Sequence, residues 1–100
     1  MSPSRSETAV GETAAVRVRY WASARAAAGT AGEDVAVDGP LTLAELVDRV
    51  VAQHPGGRLP QVLEACSVLV GDRPVASSDP REVVVEPGDS VEFLPPFAGG

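Results

Sequence analysis

The sequence predicts a single α+β domain in which a mixed β-sheet packs against one main helix. Three observations favour this class. Short valine-rich segments alternate apolar and polar residues near both ends of the chain, as half-buried strands do. One segment in the middle carries the apolar stripe of an amphipathic helix. The length of 100 residues suits one modest hydrophobic core.

The first predicted strand covers residues 16–21, where the side chains alternate in direction. Val16, Val18 and Tyr20 share one face, which we assign to the core. Trp21 then falls on the opposite, more exposed face. A large aromatic side chain in that position is either covered by a local loop or kept for a partner, and we favour the partner.

A helical turn and a second strand are predicted next. Residues 22–28 are rich in alanine, which favours a helix, and the glycines after them end it. Residues 33–37 place Val35 and Val37 on one face of a strand. The Asp-Gly-Pro sequence of residues 38–40 predicts a turn.

Thr42 and Glu45 predict the start of the main helix, because their spacing is that of a capping box. The apolar residues that follow recur at i, i+3, i+4, i+7 and i+8, which is the stripe of an amphipathic helix. The Pro-Gly-Gly sequence of residues 55–57 ends the helix. The stripe comprises Leu43, Leu46, Val47, Val50 and Val51.

The second half of the chain predicts a short second helix and further strands. The helix covers residues 59–65, and the strands cover residues 67–70, 83–85 and 91–94. Turns are predicted at residues 71–74 and 86–89, and Val75 can restart pairing after the first of them.

Charge and composition argue against several classes of function. The net charge of −6 argues against a nucleic-acid surface, which needs a basic patch, and predicts that a docking partner presents positive charge. Cys66 is the only cysteine, which we interpret as a small buried apolar residue in a reducing compartment. His54 has no companion ligand nearby, so we predict no metal site. No segment approaches the length of a membrane span, and we expect a cytoplasmic protein.

The end of the chain is its most informative part. Pro95 and Pro96 must end the last predicted strand, since proline lacks an N–H and fixes φ. The chain then leaves the sheet as a stiff, polyproline-like stalk. Gly99 and Gly100 have no side chains, so the backbone there can enter a narrow slot. The stretch from Pro95 to Gly100 reaches at most about 20 Å when extended. That reach is enough to place a carboxylate in another protein's active site.

The run Phe93-Leu94-Pro95-Pro96-Phe97-Ala98-Gly99-Gly100 resembles the C-terminus of the small, sulfur-carrier subunit of molybdopterin synthase. The resemblance covers roughly residues 16–100, and the Pro-Pro-x-Ala-Gly-Gly ending is its most specific part. It implies a ubiquitin-like β-grasp fold, in which the first and last strands lie parallel in the centre of the sheet. Trp21 and Leu94 are then expected near each other on the outer side of the sheet.

The resemblance also implies a chemistry for the end of the chain. An ATP-using activating enzyme forms an acyl-adenylate at Gly100, and a sulfur donor converts it to a thiocarboxylate. The carrier binds no cofactor itself and has no catalytic residues of its own. Its sulfur passes to a pterin precursor in the large, catalytic synthase subunit. The candidate reactive residues are Gly100 and Gly99, and the candidate partner-binding residues are Trp21, Leu94, Pro95, Pro96, Phe97 and Ala98.

The chain thus divides into a disordered extension at residues 1–15, a β-grasp domain at residues 16–94 and an extended functional tail at residues 95–100. The extension is assigned because its polar sequence lacks any apolar period. Other functions stay open. The same tail suits a sulfur carrier for cysteine or thiamine synthesis, or a ubiquitin-like protein modifier. A third alternative is a non-catalytic β-grasp interaction module whose tail is incidental.

Overall fold

The structure is a computed structural model that describes residues 14–76 and 78–96. The predicted extension falls largely on residues 1–13, outside the described ones, but the first strand begins at Ala15, within the range assigned to the extension. In chain order the elements are β1 (Ala15–Tyr20), α1 (Ala22–Ala28), β2 (Gly32–Ala36), β3 (Leu41–Thr42), α2 (Leu43–Gln53), α3 (Leu59–Ala65), β4 (Ser67–Val70), β5 (Arg73–Pro74), β6 (Val84–Val85) and β7 (Ser90–Leu94).

The strands form a five-stranded mixed sheet in the order β2-β1-β7-β4-β5, beside a small sheet of β3 and β6. Strands β1 and β7 are parallel, with Tyr20 opposite Phe93, and the other pairs are antiparallel. The parallel central pairing that the resemblance implied is therefore confirmed. Such a pairing needs a crossover connection, and the helices lie in that connection.

The core lies on one side of the sheet, where α2 covers it. Val16, Val18 and Tyr20 are at most 2% exposed, which confirms the face that the alternation predicted. In α2 the stripe divides into two classes, because a helix resting on a sheet buries its central ridge more deeply than its flanks. Val47 and Val51 are half-buried flanks, and the buried ridge consists of Leu43, Leu46 and Val50.

The capping box that begins α2 is confirmed in both of its hydrogen bonds. Thr42 Oγ1 accepts from the Glu45 backbone N–H at 3.1 Å, and Glu45 Oε1 accepts from the Thr42 backbone N–H at 2.9 Å. These bonds satisfy two groups that would otherwise lack partners, and losing such a cap costs about 0.5–2 kcal/mol. The helix ends at Gln53, and Gly56 beyond it adopts a left-handed φ of 82°.

Strands β1, β2, β6 and β7 each differ by one residue from a predicted bound, so that Trp21 directly follows β1 instead of ending it. The differences at β5 and β2 have a clear physical cause. Strand β5 is Arg73–Pro74, where a turn was predicted, and Val75 N–H still donates to Val68 O at 2.9 Å. A proline is tolerated there because β5 is the edge of the sheet and needs no outward N–H. Strand β2 starts at Gly32, which was read as a helix end. A Cβ at Gly32 would lie 2.8 Å from Val18 O, so the close approach of β1 requires glycine.

Candidate functional site

The candidate site is the side of the sheet turned away from the core, which we call the outer face. Its middle is a row of register partners on adjacent strands, in which Arg19 lies opposite Glu92, Glu92 opposite Leu69, and Leu69 opposite Pro74. Because side chains alternate along a strand, this row belongs to the side opposite Val18, Val91 and Val70 in the core. This middle row thus crosses four of the five strands.

Strand β7 contributes one set of residues to each face. Val91 and Phe93 are 0% and 1% exposed in the core, whereas Glu92 and Leu94 are half-buried on the outer face. Leu94 lies opposite Ser67 of β4 and directly precedes the proline stalk. The outward position predicted for Leu94 is confirmed.

Trp21 is also outward, and it is 44% exposed, so no local loop covers it. Its backbone N–H donates to Phe93 O at 3.1 Å, which places it at the end of β7. Its indole Nε1–H donates to Glu92 Oε1 at 2.9 Å. The guanidinium carbon of Arg19 lies 5.7 Å from the centroid of the indole ring, within the range of a cation–π contact. Trp21 is therefore exposed and held in place at once.

The stalk begins beside an apolar depression. This depression has a volume of about 470 Å³, and its lining includes Leu69, Pro74, Leu94, Pro95 and Pro96. The structure therefore brings together four of the predicted partner-binding residues, Trp21 and Leu94 to Pro96, at one end of the outer face. The other two, Phe97 and Ala98, and the predicted reactive residues, Gly99 and Gly100, lie outside the described residues, and their roles stay predictions.

Away from the stalk the outer face becomes polar. Arg17 of β1 pairs with Asp34 of β2 at 3.1 Å, and both side chains are more than half exposed. An exposed pair of this kind contributes about 0–1 kcal/mol at most, so it serves solvation more than stability. The apolar part of the outer face is accordingly the part next to the stalk.

Tyr20, Glu33 and His54 form a hydrogen-bonded network at the edge of the core, which the sequence analysis did not predict. The Tyr20 hydroxyl donates to Glu33 Oε2 at 2.5 Å, and His54 Nε2 hydrogen-bonds to the same oxygen at 2.7 Å. Burial, with the added hydrogen bond to Glu33, raises the pKa of Tyr20 well above its usual value. The Tyr20 ring stacks on Phe93 with centroids 6.1 Å apart. The network thus ties β1, β2 and the end of α2 to the strand that bears the stalk.

Cys66 lies between α3 and β4 and is half-buried. Its Sγ donates to Val62 O at 3.2 Å, and burial raises the pKa of the thiol to about 11. The thiolate is the nucleophilic form, so this thiol is a poor nucleophile at neutral pH. The geometry favours the interpretation of Cys66 as a packing residue.

Residues 14–76 and 78–96 hold no group of three His, Cys, Asp or Glu side chains arranged to bind a metal ion. In the same part of the chain, every helix is too short or too polar to cross a membrane.

The family model described as the ThiS family matches residues 18–100. The molybdopterin synthase sulfur carrier subunit of Aspergillus niger is 33% identical over 84 residues, covering 84% of this chain and 92% of that protein. Its namesake in Emericella nidulans is 31% identical over 90 residues, covering 84% and 96%. The crystal structure of small archaeal modifier protein 1 from Haloferax volcanii superposes with a TM-score of 0.68 at 23% identity, covering 84% of this chain and 99% of that one. This last likeness confirms the predicted ubiquitin-like β-grasp fold.

Proposed function

Because the chain belongs to the ThiS family, we propose that it is a sulfur carrier and serves as the small subunit of a molybdopterin synthase. The observation that carries the proposal is the direct continuation of the central strand β7 into the Pro95-Pro96 stalk, beside exposed Trp21. The stalk and the candidate docking residues thus lie at the same end of the sheet.

A central strand is a firm base for a reactive tail. Strand β7 is hydrogen-bonded on both sides, to β1 and to β4, and its inward residues Val91 and Phe93 are buried. Elements bonded and packed in this way open only with the domain as a whole. Positioning matters because a displacement of about 1 Å can cost on the order of 100-fold in rate.

The proposed chemistry takes place at the Gly100 carboxylate. This group is ionised at neutral pH, so it is a poor electrophile until it is activated. A carboxylate oxygen attacks the α-phosphorus of ATP in an activating enzyme, which releases pyrophosphate and leaves an acyl-adenylate. The outer sulfur of a persulfide donor then attacks the acyl carbon and displaces AMP, which leaves an acyl disulfide. A thiol of the donor system cleaves its S–S bond, which releases the thiocarboxylate and leaves a disulfide on the donor. ATP belongs to the activating enzyme, and we assign no cofactor to the carrier.

The folded body supplies the free energy for docking. Fixing the backbone of six residues, from Pro95 to Gly100, in one conformation costs about 6–12 kcal/mol, and two prolines in sequence lower that cost. Trp21 offers an exposed aromatic group of the kind that is enriched at interface hot spots, and Leu94 adds half-buried apolar area next to the stalk. The net charge of −6 complements a basic surface on the large subunit or the activating enzyme. We place these encounters in the cytoplasm.

Intact-mass spectrometry tests the proposal. The chain is incubated with an activating enzyme, ATP and a sulfur donor, and we expect one oxygen to be exchanged for sulfur in the C-terminal peptide. Adding one alanine after Gly100 moves the carboxylate by about 3.3–3.6 Å, and that chain is expected to gain no sulfur. Gly99→Val is expected to behave in the same way, while Cys66→Ser is the matched control that still gains sulfur.

Two results would contradict the proposal. One is sulfur uptake by the extended chain at the wild-type rate. The other is uptake that appears on Cys66 and disappears in Cys66→Ser. Either result, together with partner binding that survives removal of the tail, would favour the interaction module over the carrier.

A further inference from the structure

We propose that Glu92 is a positioning residue for docking, because it holds the Trp21 indole in the orientation that the partner recognises. The inference rests on the proposed function, since the partner in question is the large subunit that receives the carrier. It assigns a role to an acidic residue in the middle of a docking surface, where an acidic side chain is otherwise unfavourable.

The location of Glu92 suits this role. It lies on the central strand β7, with Arg19 of β1 on one side and Leu69 of β4 on the other. Its Oε1 accepts from the indole Nε1–H of Trp21 at 2.9 Å, across 71 positions of sequence. The backbone N–H of Trp21 donates to the next residue of the same strand, Phe93. Trp21 is therefore tied to β7 at its backbone and at the far edge of its ring.

Arg19 completes the arrangement from above the ring. Its guanidinium carbon lies 5.7 Å from the indole centroid, so the face and the edge of the ring are both engaged. An indole held in this way loses less conformational freedom on docking than a freely rotating one. The ring is nevertheless 44% exposed, which leaves surface for the partner to cover.

The proposed role depends on hydrogen-bond acceptance and not on the negative charge. The indole N–H is a donor only, so any acceptor of the same length serves it. A glutamine at this position keeps an acceptor oxygen and removes the charge, whereas a leucine keeps similar bulk and removes both. Glu92→Gln and Glu92→Leu are thus a matched pair that separates orientation from electrostatics.

Trp21 is the only tryptophan in the chain, so its fluorescence reports this contact without the partner. We expect Glu92→Leu to lower the fluorescence anisotropy of Trp21 and to increase its quenching by acrylamide. Glu92→Gln is expected to keep both wild-type values. The melting temperatures of the two variants are expected to agree, because the hydrogen bond lies outside the core.

Titration calorimetry with the large synthase subunit tests the consequence for docking. Glu92→Leu is expected to weaken binding about 3–10-fold, as for the loss of one hydrogen bond, and Glu92→Gln less than about twofold. In chains that carry Trp21→Phe, which has no indole N–H, Glu92→Leu is expected to add no further loss. Such non-additivity is the signature of one residue acting through another.

The contrary outcomes are distinct. Equal weakening by Glu92→Gln and Glu92→Leu, with Trp21 fluorescence unchanged by Glu92→Gln, would assign Glu92 a charge contact with the partner and overturn the positioning role. If Glu92→Leu binds the large subunit as tightly as the wild type does, the positioning role of Glu92 is wrong, while the proposed function stands. A wild-type chain that neither gains sulfur nor binds the large subunit would reject the proposed function, and the inference with it.

Discussion

The two faces of strand β7 differ in what they contact. Toward the core, Val91 and Phe93 are sealed from water by the helices and the adjoining strands. Toward the outside, Glu92 and Leu94 are half-buried, and Trp21 stands beside them with 44% of its surface exposed. Consecutive residues of one strand therefore alternate between the buried core and a face that is partly open to solvent.

Under the proposed function, this difference separates stability from recognition within a single strand. The inner residues gain from complete removal of apolar area from water, which is the largest favourable term in folding. The outer residues leave apolar area uncovered, which costs solvation in the free protein and is recovered only when a partner covers it. Substitutions on the two faces should consequently act on different measurements.

The largest expected effect is on the inner face. Phe93→Ala is expected to lower the free energy of unfolding by about 3–5 kcal/mol, because it removes a fully buried aromatic ring and leaves a cavity under β7. Leu94→Ala, one position along, is the matched control and is expected to cost about 1 kcal/mol or less. Urea denaturation measures both, and equal losses would mean that the two faces are not energetically distinct.

The next largest expected effect is on the alkylation rate of Cys66, which lies half-buried between α3 and β4. At pH 7 Cys66 is expected to react with iodoacetamide on the order of 100-fold more slowly than an ordinary thiol, because burial raises its pKa to about 11. A raised pKa favours the neutral thiol, so the rate should increase about tenfold per pH unit from pH 7 to pH 10. The urea-unfolded chain, which is the control, should react at the ordinary rate, and equal folded and unfolded rates would place this thiol in open solvent.

Charge on the outer face should affect binding and spare the fold. Trp21→Arg and Leu94→Arg are each expected to weaken binding to the large subunit by about 30-fold or more, as at an interface hot spot. Val84→Arg is the control, because Val84 is 53% exposed but lies in the small sheet of β3 and β6. Calorimetry and thermal melts are compared for all three. Unfolding of the first two would show that these side chains belong to the core.

The smallest effect concerns the network at the edge of the core. Tyr20 has a raised pKa in the folded state, so its contribution to stability is present below the ordinary tyrosine pKa of about 10 and is lost as pH rises above it. Tyr20→Phe is expected to cost about 1 kcal/mol at pH 7 through its hydrogen bond to Glu33. It should also flatten the alkaline decline in stability.

Tyr20 is the only tyrosine, and placing Cys66→Ser in both chains removes the thiol that also titrates at high pH. Denaturation curves between pH 7 and pH 11 provide the measurement. Parallel alkaline declines in the two chains would show that Tyr20 ionises as readily in the folded protein as in the unfolded one.

The sequence predicted those features that depend on residues close together in the chain. The capping box of Thr42 and Glu45 needs only a spacing of three, and the faces of β1 follow from alternation. The hydrogen bond from Trp21 to Glu92 spans 71 positions, and no local period encodes such a contact. The sequence could therefore predict that Trp21 lies on the outer face, but it could not predict the hydrogen bond to Glu92 that holds the indole there.

Short strands at the edge of the sheet were also not predictable from the sequence. Strand β5 has two residues, too few to show a period of two, and its proline argues against a strand unless the element is known to be an edge. The role of the Glu33 carboxylate in β2 was not predicted either. Only the folded arrangement shows that Tyr20 and His54 meet on it.

The order of strands in the sheet has a consequence for how the protein is made. Strand β7 is the last of the described strands to leave the ribosome, yet it occupies the centre and joins β1 to β4. Until it emerges, the two halves of the sheet have no common neighbour, and pairing the first strand with the last closes a long loop of chain. A polypeptide interrupted before β7 therefore lacks both the stalk and a stable body. Fragments that end before β7 are therefore not expected to compete with the intact chain for the large subunit.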